Sequence, residues 1–324
     1  MSPLTTQEAV LSSRIEGTQA TMVEVLEFEA RGEISDMSLQ KKGDINEILN
    51  YRRALCKAEE LLKELPLCLR IIRETHAVLL DGVRGEGKSP GEFRKTPNWI
   101  GPPGSTIETA TYVPIGADKL PTELSRWEQY LHADAPDRLV QMAVIHAEFE
   151  ALHPFLDGNG RLGRMLVPLF LWQTGLIRSP MFYISSFLET NRDEYYEKLL
   201  SISRDGNWTG WCIFFLRALK EQAEENLSKT TKILQLHDTM KKEIAEMTRS
   251  PYAVHAQEWI FSKPIFKSSD FTKSAGIPSA VAIRILRQFR EHEVLTVLEE
   301  GAGSKSSVLA FPKLLNIAEG RDVF

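Results

Sequence analysis

Apolar residues along most of the chain recur at three- and four-residue steps, the spacing of one buried helical face. In residues 44–63, "DINEILNYRRALCKAEELLK", the pattern starts at an acidic residue and stops just ahead of Pro66, which predicts a helix. The same period predicts helices over 67–81, 118–132, 138–152, 164–177, 191–203 and 207–223, with a long charged helix near 222–248. It fails between 93 and 116, "FRKTPNWIGPPGSTIETATYVPIG", where short extended pieces flank a Pro/Gly/Ser turn. A β-hairpin over 97–116, projecting from a helical body, is the expectation there.

From about residue 251 the pattern changes character. "HAQEWIFSKPIF" reads as a helix, "KSSDFTKSA" as a second, and "SAVAIRILRQFREHE" as a third after a tight "GIP" turn. "VLTVLEE" and "SSVLAFP" then read as strands around a "GAGSKS" turn. That order predicts a winged helix-turn-helix domain over 250–324. The fold class is therefore mainly α: a helical body over 41–245 carrying a hairpin, then the winged helix, with the boundary inside 240–252.

Composition narrows the function classes modestly. A chain of 324 residues that is 43% hydrophobic can bury a sizeable core, and its net charge of −5 gives no global pull toward nucleic acid or anionic membranes. Cys56, Cys68 and Cys212 are too scattered for a metal pair or a disulfide framework and read as buried free thiols. The first residues lack a signal-peptide pattern, and the longest apolar run, near "MLVPLFLW", is too short to span a bilayer. A cytoplasmic protein with no membrane partner is expected.

Two stretches carry candidate chemistry. "GVRGEGKS", residues 82–89, matches the P-loop pattern G-x-x-x-x-G-K-[ST]. A P-loop needs a buried strand before it and a helix after it. Here a helical period precedes Gly82 and Pro90-Gly91 follows Ser89, so the stretch reads as a mobile charged connector leading into the hairpin. The second is "HAEFEALHPFLDGNGRLGR", residues 146–164. A helix ends near Leu152, and Pro154 pushes His153 out of the right-handed α region. "DGNG" supplies positive-φ positions that expose consecutive N–H groups as an anion nest, and Arg161 and Arg164 follow at the start of a new helix. Asp157 could hold Mg²⁺ through one oxygen, and His153 is the local group able to take a proton near neutral pH. An EF-hand is excluded, because Phe155 and Leu166 would fall at ligating positions. On spacing alone, a plain helix junction with a glycine-rich turn stays open. His146 reads as a packed, hydrogen-bonded histidine rather than a metal ligand, and Phe155 as an anchor of the loop.

"HPFLDGNGRLGR" resembles the Fic-family signature HxFx[DE]GNGRxxR at every defined position. "PGEFRKTPNWIG" and "TYVP" are similar to the segment that leads into and forms the Fic flap. The resemblance covers roughly residues 1–230. It implies a protein adenylyltransferase that moves AMP from ATP, with Mg²⁺, onto a Ser, Thr or Tyr hydroxyl of a target protein or of itself. It implies His153 as the base, Asp157 as the metal ligand, and Gly158, Asn159 and Gly160 as the anion hole. Arg161 and Arg164 would contact the β- and γ-phosphates, with Leu162 and Gly163 inside the same nucleotide-binding run. Asn191 and Tyr195 resemble residues lining the adenine pocket; an N-cap and a core tyrosine are the plainer reading. Relatives that phosphorylate have a lysine in place of the second glycine, so Gly160 favours adenylyl transfer.

Residues 12–17, "SSRIEG", are similar to the Fic inhibitory motif [S/T]xxxE[G/N], with Ser12, Glu16 and Gly17 in place. The resemblance makes 1–40 an N-terminal inhibitory region, with Glu16 paired to Arg164 where the γ-phosphate belongs. Removal of AMP, with Glu16 positioning water, is the alternative on the same fold. The flap implies docking of an extended target segment by its β-edge. Arg284, Arg287 and Arg290 on the third tail helix leave DNA as well as protein open as a partner of 251–324, and a nucleotide-sensing DNA-binding regulator as the reading from another class. A homodimer is also open.

Overall fold

A computed structural model of the chain describes residues 3–32, 37–102, 104–303 and 305–324. The helical periods form α1 (Pro3–Ile15), α2 (Met22–Arg31), α3 (Leu39–Leu61), α4 (Leu69–Leu79), α5 (Leu120–Leu131), α6 (Arg138–Leu152), α7 (Asn159–Gln173), α8 (Ser185–Thr190), α9 (Arg192–Asp205) and α10 (Trp208–Thr248). Two boundaries differ from expectation. α7 begins at Asn159 rather than at Arg164, because Gly158 (φ 78°) turns the chain straight into the helix. The helices expected over 207–223 and 222–248 are one, since neither glycine nor proline interrupts the run from Trp211 to Thr248.

The hairpin is narrower than predicted. It holds one antiparallel bridge, with Ile100 N–H donating to Tyr112 O at 2.9 Å and Tyr112 N–H to Ile100 O at 3.0 Å. Pro97, Pro102 and Pro114 lack the N–H groups a longer ladder requires. Pro103, within the expected hairpin, lies outside the described residues.

The chain forms two compact units. The first comprises Glu8–Gln19 and Asn46–Ala223. Its centre is α6 against α7: Met142, Ile145, Phe149, Met165, Leu166 and Phe170 are all buried. Each such side chain stabilises the fold by about 1.5–3 kcal/mol relative to exposure. Asp137 starts α6 by accepting from Leu139 N–H (2.8 Å) and Val140 N–H (3.1 Å). Two indoles bond into the same helix, Trp127 Nε1 to Ile145 O at 3.0 Å and Trp211 Nε1 to Ala143 O at 2.8 Å.

The second unit comprises Met1–Gln7, Ala20–Ile45 and Glu224–Phe324. It adds α11 (Ala253–Ser262), β1 (Ile265–Lys267), α12 (Ser268–Ser274), α13 (Ser279–Glu291), β2 (Thr296–Glu299), β3 (Val308–Ala310) and α14 (Pro312–Glu319). The sheet is antiparallel in the order β1-β3-β2. Ile265 and Phe266, expected at a helix end, form β1 because Pro264 follows the last turn of α11; α14 was not anticipated. Ser304, in the expected "GAGSKS" turn, lies outside the described residues. α2 begins with a capping box between Thr21 and Glu24 and lies along β1. Its end is held by Lys267 Nζ on Arg31 O (3.0 Å) and by an Arg31–Glu299 ion pair (2.8 Å). The N-terminal region is thus shared: residues 8–19 belong to one unit and 20–45 to the other. Among the described residues no helix is long and apolar enough to cross a membrane, and the three cysteines are free and half-buried rather than buried.

Candidate active site

The loop after α6 is strained and heavily braced. His153 ends the helix at φ 45°, ψ 60°, outside the right-handed α region that the following proline disfavours. Arg94, itself buried, donates Nε to His153 O (3.0 Å) and Nη2 to Leu152 O (3.2 Å) and Ile115 O (2.6 Å). Asn98 donates Nδ2 to His153 O (3.1 Å) and Phe155 O (2.9 Å). Two flap-base side chains therefore fix the carbonyls on either side of the histidine ring. Asn159 closes the loop from within: Phe155 N–H donates to its Oδ1 and its Nδ2 donates to Phe155 O, both at 2.8 Å.

His76 on α4 supports the loop from below. Gly91 N–H donates to its Nδ1 at 2.9 Å, so the proton is on Nε2, which donates to Asp157 O at 2.9 Å. Its ring stacks on Phe155 at 3.7 Å, which anchors the loop as expected. Burial pulls the His76 pKa down to about 4, which keeps the ring in this neutral form.

The N-terminus of α7 forms the floor. Its first N–H groups lack intrahelical acceptors and face outward, an arrangement suited to an anion. Arg161 is buried between Glu47 on α3 (Nη1 to Oε2, 3.1 Å) and Asp157 (Nη2 to Oδ1, 3.4 Å). Arg164, 1% exposed, donates Nε to Ser12 Oγ (2.9 Å) and Nη2 to Ser12 O (2.8 Å) and Glu16 Oε1 (2.7 Å). Burial alone would push the Glu16 carboxyl up, but the charge and hydrogen bond of Arg164 hold it below its usual value. Gly17 (φ 103°) then turns the chain away. Gly160 is where the carboxylate enters: a Cβ there would collide with Glu16 and lie 3.0 Å from Arg164 Nη1. α1 has a second anchor. Glu8, two turns before Glu16, accepts from Ser185 N–H (3.1 Å), Ser185 Oγ (2.6 Å) and Tyr51 OH (3.4 Å).

The His153 ring lies half-buried above this floor. Its Nδ1 is 3.4 Å from Glu150 O, which can only accept, so the basic lone pair is on Nε2. Burial lowers its pKa to about 4, leaving it neutral at pH 7. Glu150 is pushed up to about 7 by burial, and a Cβ at Gly163 would collide with its carboxyl.

A cavity of about 570 Å³ opens beside Glu16 and runs under the flap, lined among others by Ile15, Ile100, Tyr112, Arg192, Tyr196 and Leu200. Of the expected site residues Glu16 alone lines it; the run from His153 to Arg164 lies beside it, and Asn191, Tyr195, Leu162 and Gly163 are turned elsewhere. Tyr195 points into the core, where its O–H donates to His146 Nε2 at 2.9 Å, and Asn191 ends α8 with Nδ2 on Phe187 O at 2.9 Å. Their neighbours Arg192 and Tyr196, one residue further round the helix, take the wall. Leu162 is buried and its N–H is bonded to Gly158 O at 3.1 Å. Gly163 turns toward Glu150, and its carbonyl accepts from His146 Nδ1 at 3.1 Å. His146 is thereby the packed histidine expected, with burial holding its pKa near about 3. Sequence reading missed Arg94, Asn98, His76, Glu47, Glu8 and Tyr196; only the position of Arg94 and Asn98 inside the flap-like stretch hinted at them.

Helical architecture, a histidine above a helix start and two buried arginines define the class: a helical protein with a cradle suited to a phosphate-bearing ligand. Residues 66–171 match the Fic/DOC family and residues 1–60 match the Fic/DOC family N-terminal region. The chain belongs to the Fic/DOC family. It is similar to "Protein adenylyltransferase Fic" of Drosophila grimshawi, 28% identical over 201 residues, which is 60% of this chain and 37% of that one. The protein of the same name from Drosophila virilis is 28% identical over 169 residues, covering 50% and 31%. The chain thus spans about a third of the length of these relatives. A Fic family protein from Desulfovibrio desulfuricans G20 shares the fold with a TM-score of 0.61 over 95% of this chain and 86% of that one, at 16% identity. Fic-1 from C. elegans does so with 0.51 over 68% and 61%, at 19% identity.

Proposed function

We propose that this chain is a protein adenylyltransferase that moves AMP from ATP to a hydroxyl of a protein, and that Glu16 holds it in check. The observation that carries the reading is the buried Arg164, whose donors go to Ser12 and Glu16 at the start of α7. A carboxylate occupies the place where a terminal phosphate would complete an anion site. With Glu16 withdrawn, Arg164 would take the γ-phosphate, Arg161 the β-phosphate, and the N–H groups of Asn159 and Gly160 the oxygens nearest the reacting phosphorus, while the Gly158 N–H donates to Asp157 Oδ1 at 2.6 Å. The purine would lie in the cavity beside Tyr196 and Leu200, and an extended target segment would pair with the Ile100–Tyr112 edge.

His153 Nε2 would take the proton of the attacking Ser, Thr or Tyr hydroxyl. The new bond forms between that oxygen and the α-phosphorus, and the bond to pyrophosphate breaks, with the negative charge leaving on pyrophosphate. Asp157 suits Mg²⁺: it offers one hard oxygen ligand at the mouth, the sparse donor set this ion accepts when phosphates supply the rest. Bound there, the ion would neutralise charge on the phosphates.

The functional division that follows is a brake within 1–40, a catalytic body over 41–245 and a winged-helix docking domain over 250–324. Protein rather than DNA is its favoured partner, because Arg290 is paired with Glu300 (3.1 Å) and Arg287 lies 3.6 Å from Glu291. The test is intact-mass spectrometry after incubation with ATP and Mg²⁺. Glu16→Gly should gain AMP and His153→Ala in the same background should not; absence of any gain in Glu16→Gly would refute the reading.

A further inference from the structure

The stretch Gly82–Ser89 has neither the strand nor the helix of a P-loop, yet it touches the phosphate site. It follows α4 and contains a single 3₁₀ turn, Glu86–Lys88. Gly85 adopts φ 96°, and a Cβ on it would meet Asp157 Oδ2 at 3.0 Å. The glycine therefore lets this loop lie against the carboxylate at the mouth of the site. Its neighbour Arg84 places Nε 3.3 Å from Glu47 Oε1 and Nη2 3.5 Å from Glu47 Oε2. Glu47 is the same buried carboxylate that holds Arg161. One acid thus joins two guanidinium groups, one buried in the floor and one, 63% exposed, on the rim.

We propose that Arg84 is a third phosphate-binding arginine, supplied by the loop 82–89, that engages the β- and γ-phosphates of the nucleotide and then the departing pyrophosphate. The proposal rests on the transferase reading above and adds a contact to it. The Arg84 guanidinium is solvated on its outer side and reaches Glu47 only at 3.3 and 3.5 Å, while Glu47 has Arg161 as a second cation, so the Arg84 fork can turn to a phosphate at small cost. A doubly anionic phosphate offers it charge-assisted, bidentate bonds instead. Glu47 keeps its bond to Arg161 meanwhile, so the buried acid is not left without a cation. Arg161 Nε is buried with no hydrogen-bond partner, so the floor has donor capacity of its own still to be satisfied.

The experiment is calorimetric titration of full-length Glu16→Gly, with and without Arg84→Ala or Arg84→Lys. The probes are an ATP analogue with a methylene between the α- and β-phosphorus, which does not react, and AMP, which lacks the outer phosphates. Loss of one charge-assisted contact should weaken the analogue about 10-fold in Arg84→Ala, leave AMP within about twofold, and be partly restored in Arg84→Lys. An unchanged affinity for the analogue, or an equal loss for both nucleotides, overturns the proposal while the transferase reading stands. Failure of the analogue and AMP alike to bind Glu16→Gly with Arg84 intact overturns that reading, and this proposal with it.

Discussion

On the proposed reading of Glu16 as a brake, replacing Ser12 by alanine should release it part of the way. Ser12 is fully buried, and its Oγ accepts from Arg164 Nε at 2.9 Å. The Ser12 carbonyl and the Glu16 carboxylate each accept from Nη2, at 2.8 and 2.7 Å, and both survive the substitution. What is lost at Arg164 is one hydrogen bond to a charged, 1% exposed donor, along with the contact of the same hydroxyl with Tyr51. Such a bond contributes about 1.5–3 kcal/mol. The loss falls on the braked state alone, because an Arg164 freed of α1 finds water or phosphate. The equilibrium between braked and open forms should therefore move by roughly 10- to 100-fold. The assay is the initial rate of label transfer from α-labelled ATP into the chain, with Glu16→Gly setting the upper limit. Ser13→Ala is the control: Ser13 is equally buried, but its Oγ has no hydrogen-bond partner. Ser12→Ala should label faster than wild type and slower than Glu16→Gly, with Ser13→Ala unchanged. Equal labelling of Ser12→Ala and wild type, or an equal rise in Ser13→Ala, would refute the reasoning.

Arg94→Lys should break the fan of bonds that fixes the His153 loop; in a Glu16→Gly background, single-turnover rates should fall about 100-fold with little change in nucleotide affinity. Gly163→Ala should drive a methyl into the Glu150 carboxyl and lower stability by about 1–3 kcal/mol in urea unfolding, with Glu150→Ala in the same chain recovering part of it. Burial raises the carboxyls of Glu8 and Glu150, which offsets part of the pH dependence of stability set by three histidines, His76, His146 and His153, whose folded pKa values burial lowers to about 4, about 3 and about 4. Between those values and their ordinary 6.5, the unfolded histidines bind protons that the native ones refuse. Their stabilising effect is therefore complete above pH 6.5 and declines as the pH falls, by at most about 1.4 kcal/mol per pH unit for each histidine. Urea midpoints measured from pH 7 to 5 should fall; a flat series would contradict it.

The run from His153 to Arg164 was legible because its chemistry is local. A proline, three glycines and two arginines within twelve residues dictate a turn, a helix start and a cradle wherever they are placed. Glu16 was legible only through a second short motif, since nothing in a 148-residue separation announces its contact with Arg164. Arg94, His76 and Glu47 were not legible. Each satisfies groups brought close by tertiary packing, and a buried arginine on four carbonyls looks the same in sequence as an exposed one. The adenine-pocket assignment missed for a smaller reason. Consecutive helical positions differ by about 100° in direction, so a slip of one residue exchanges core for cavity. Tyr195 and Tyr196 have the same side chain, and only the phase of α9 separates their surroundings. The hairpin was overdrawn because its prolines, taken as turn signals, also withhold the donors that a ladder needs.

The bare Cα of Gly160 has a consequence for how this protein can vary. The space a side chain would fill there is taken by the Glu16 carboxylate, and on the proposed reading the same space admits the nucleotide's phosphates. Restraint and reaction are thus two tenants of one vacancy. A substitution that fills it evicts both, so it cannot yield an unrestrained enzyme. Variants with permanently raised activity should arise in residues 8–19, which hold the carboxylate in place, and not at the helix start that receives it.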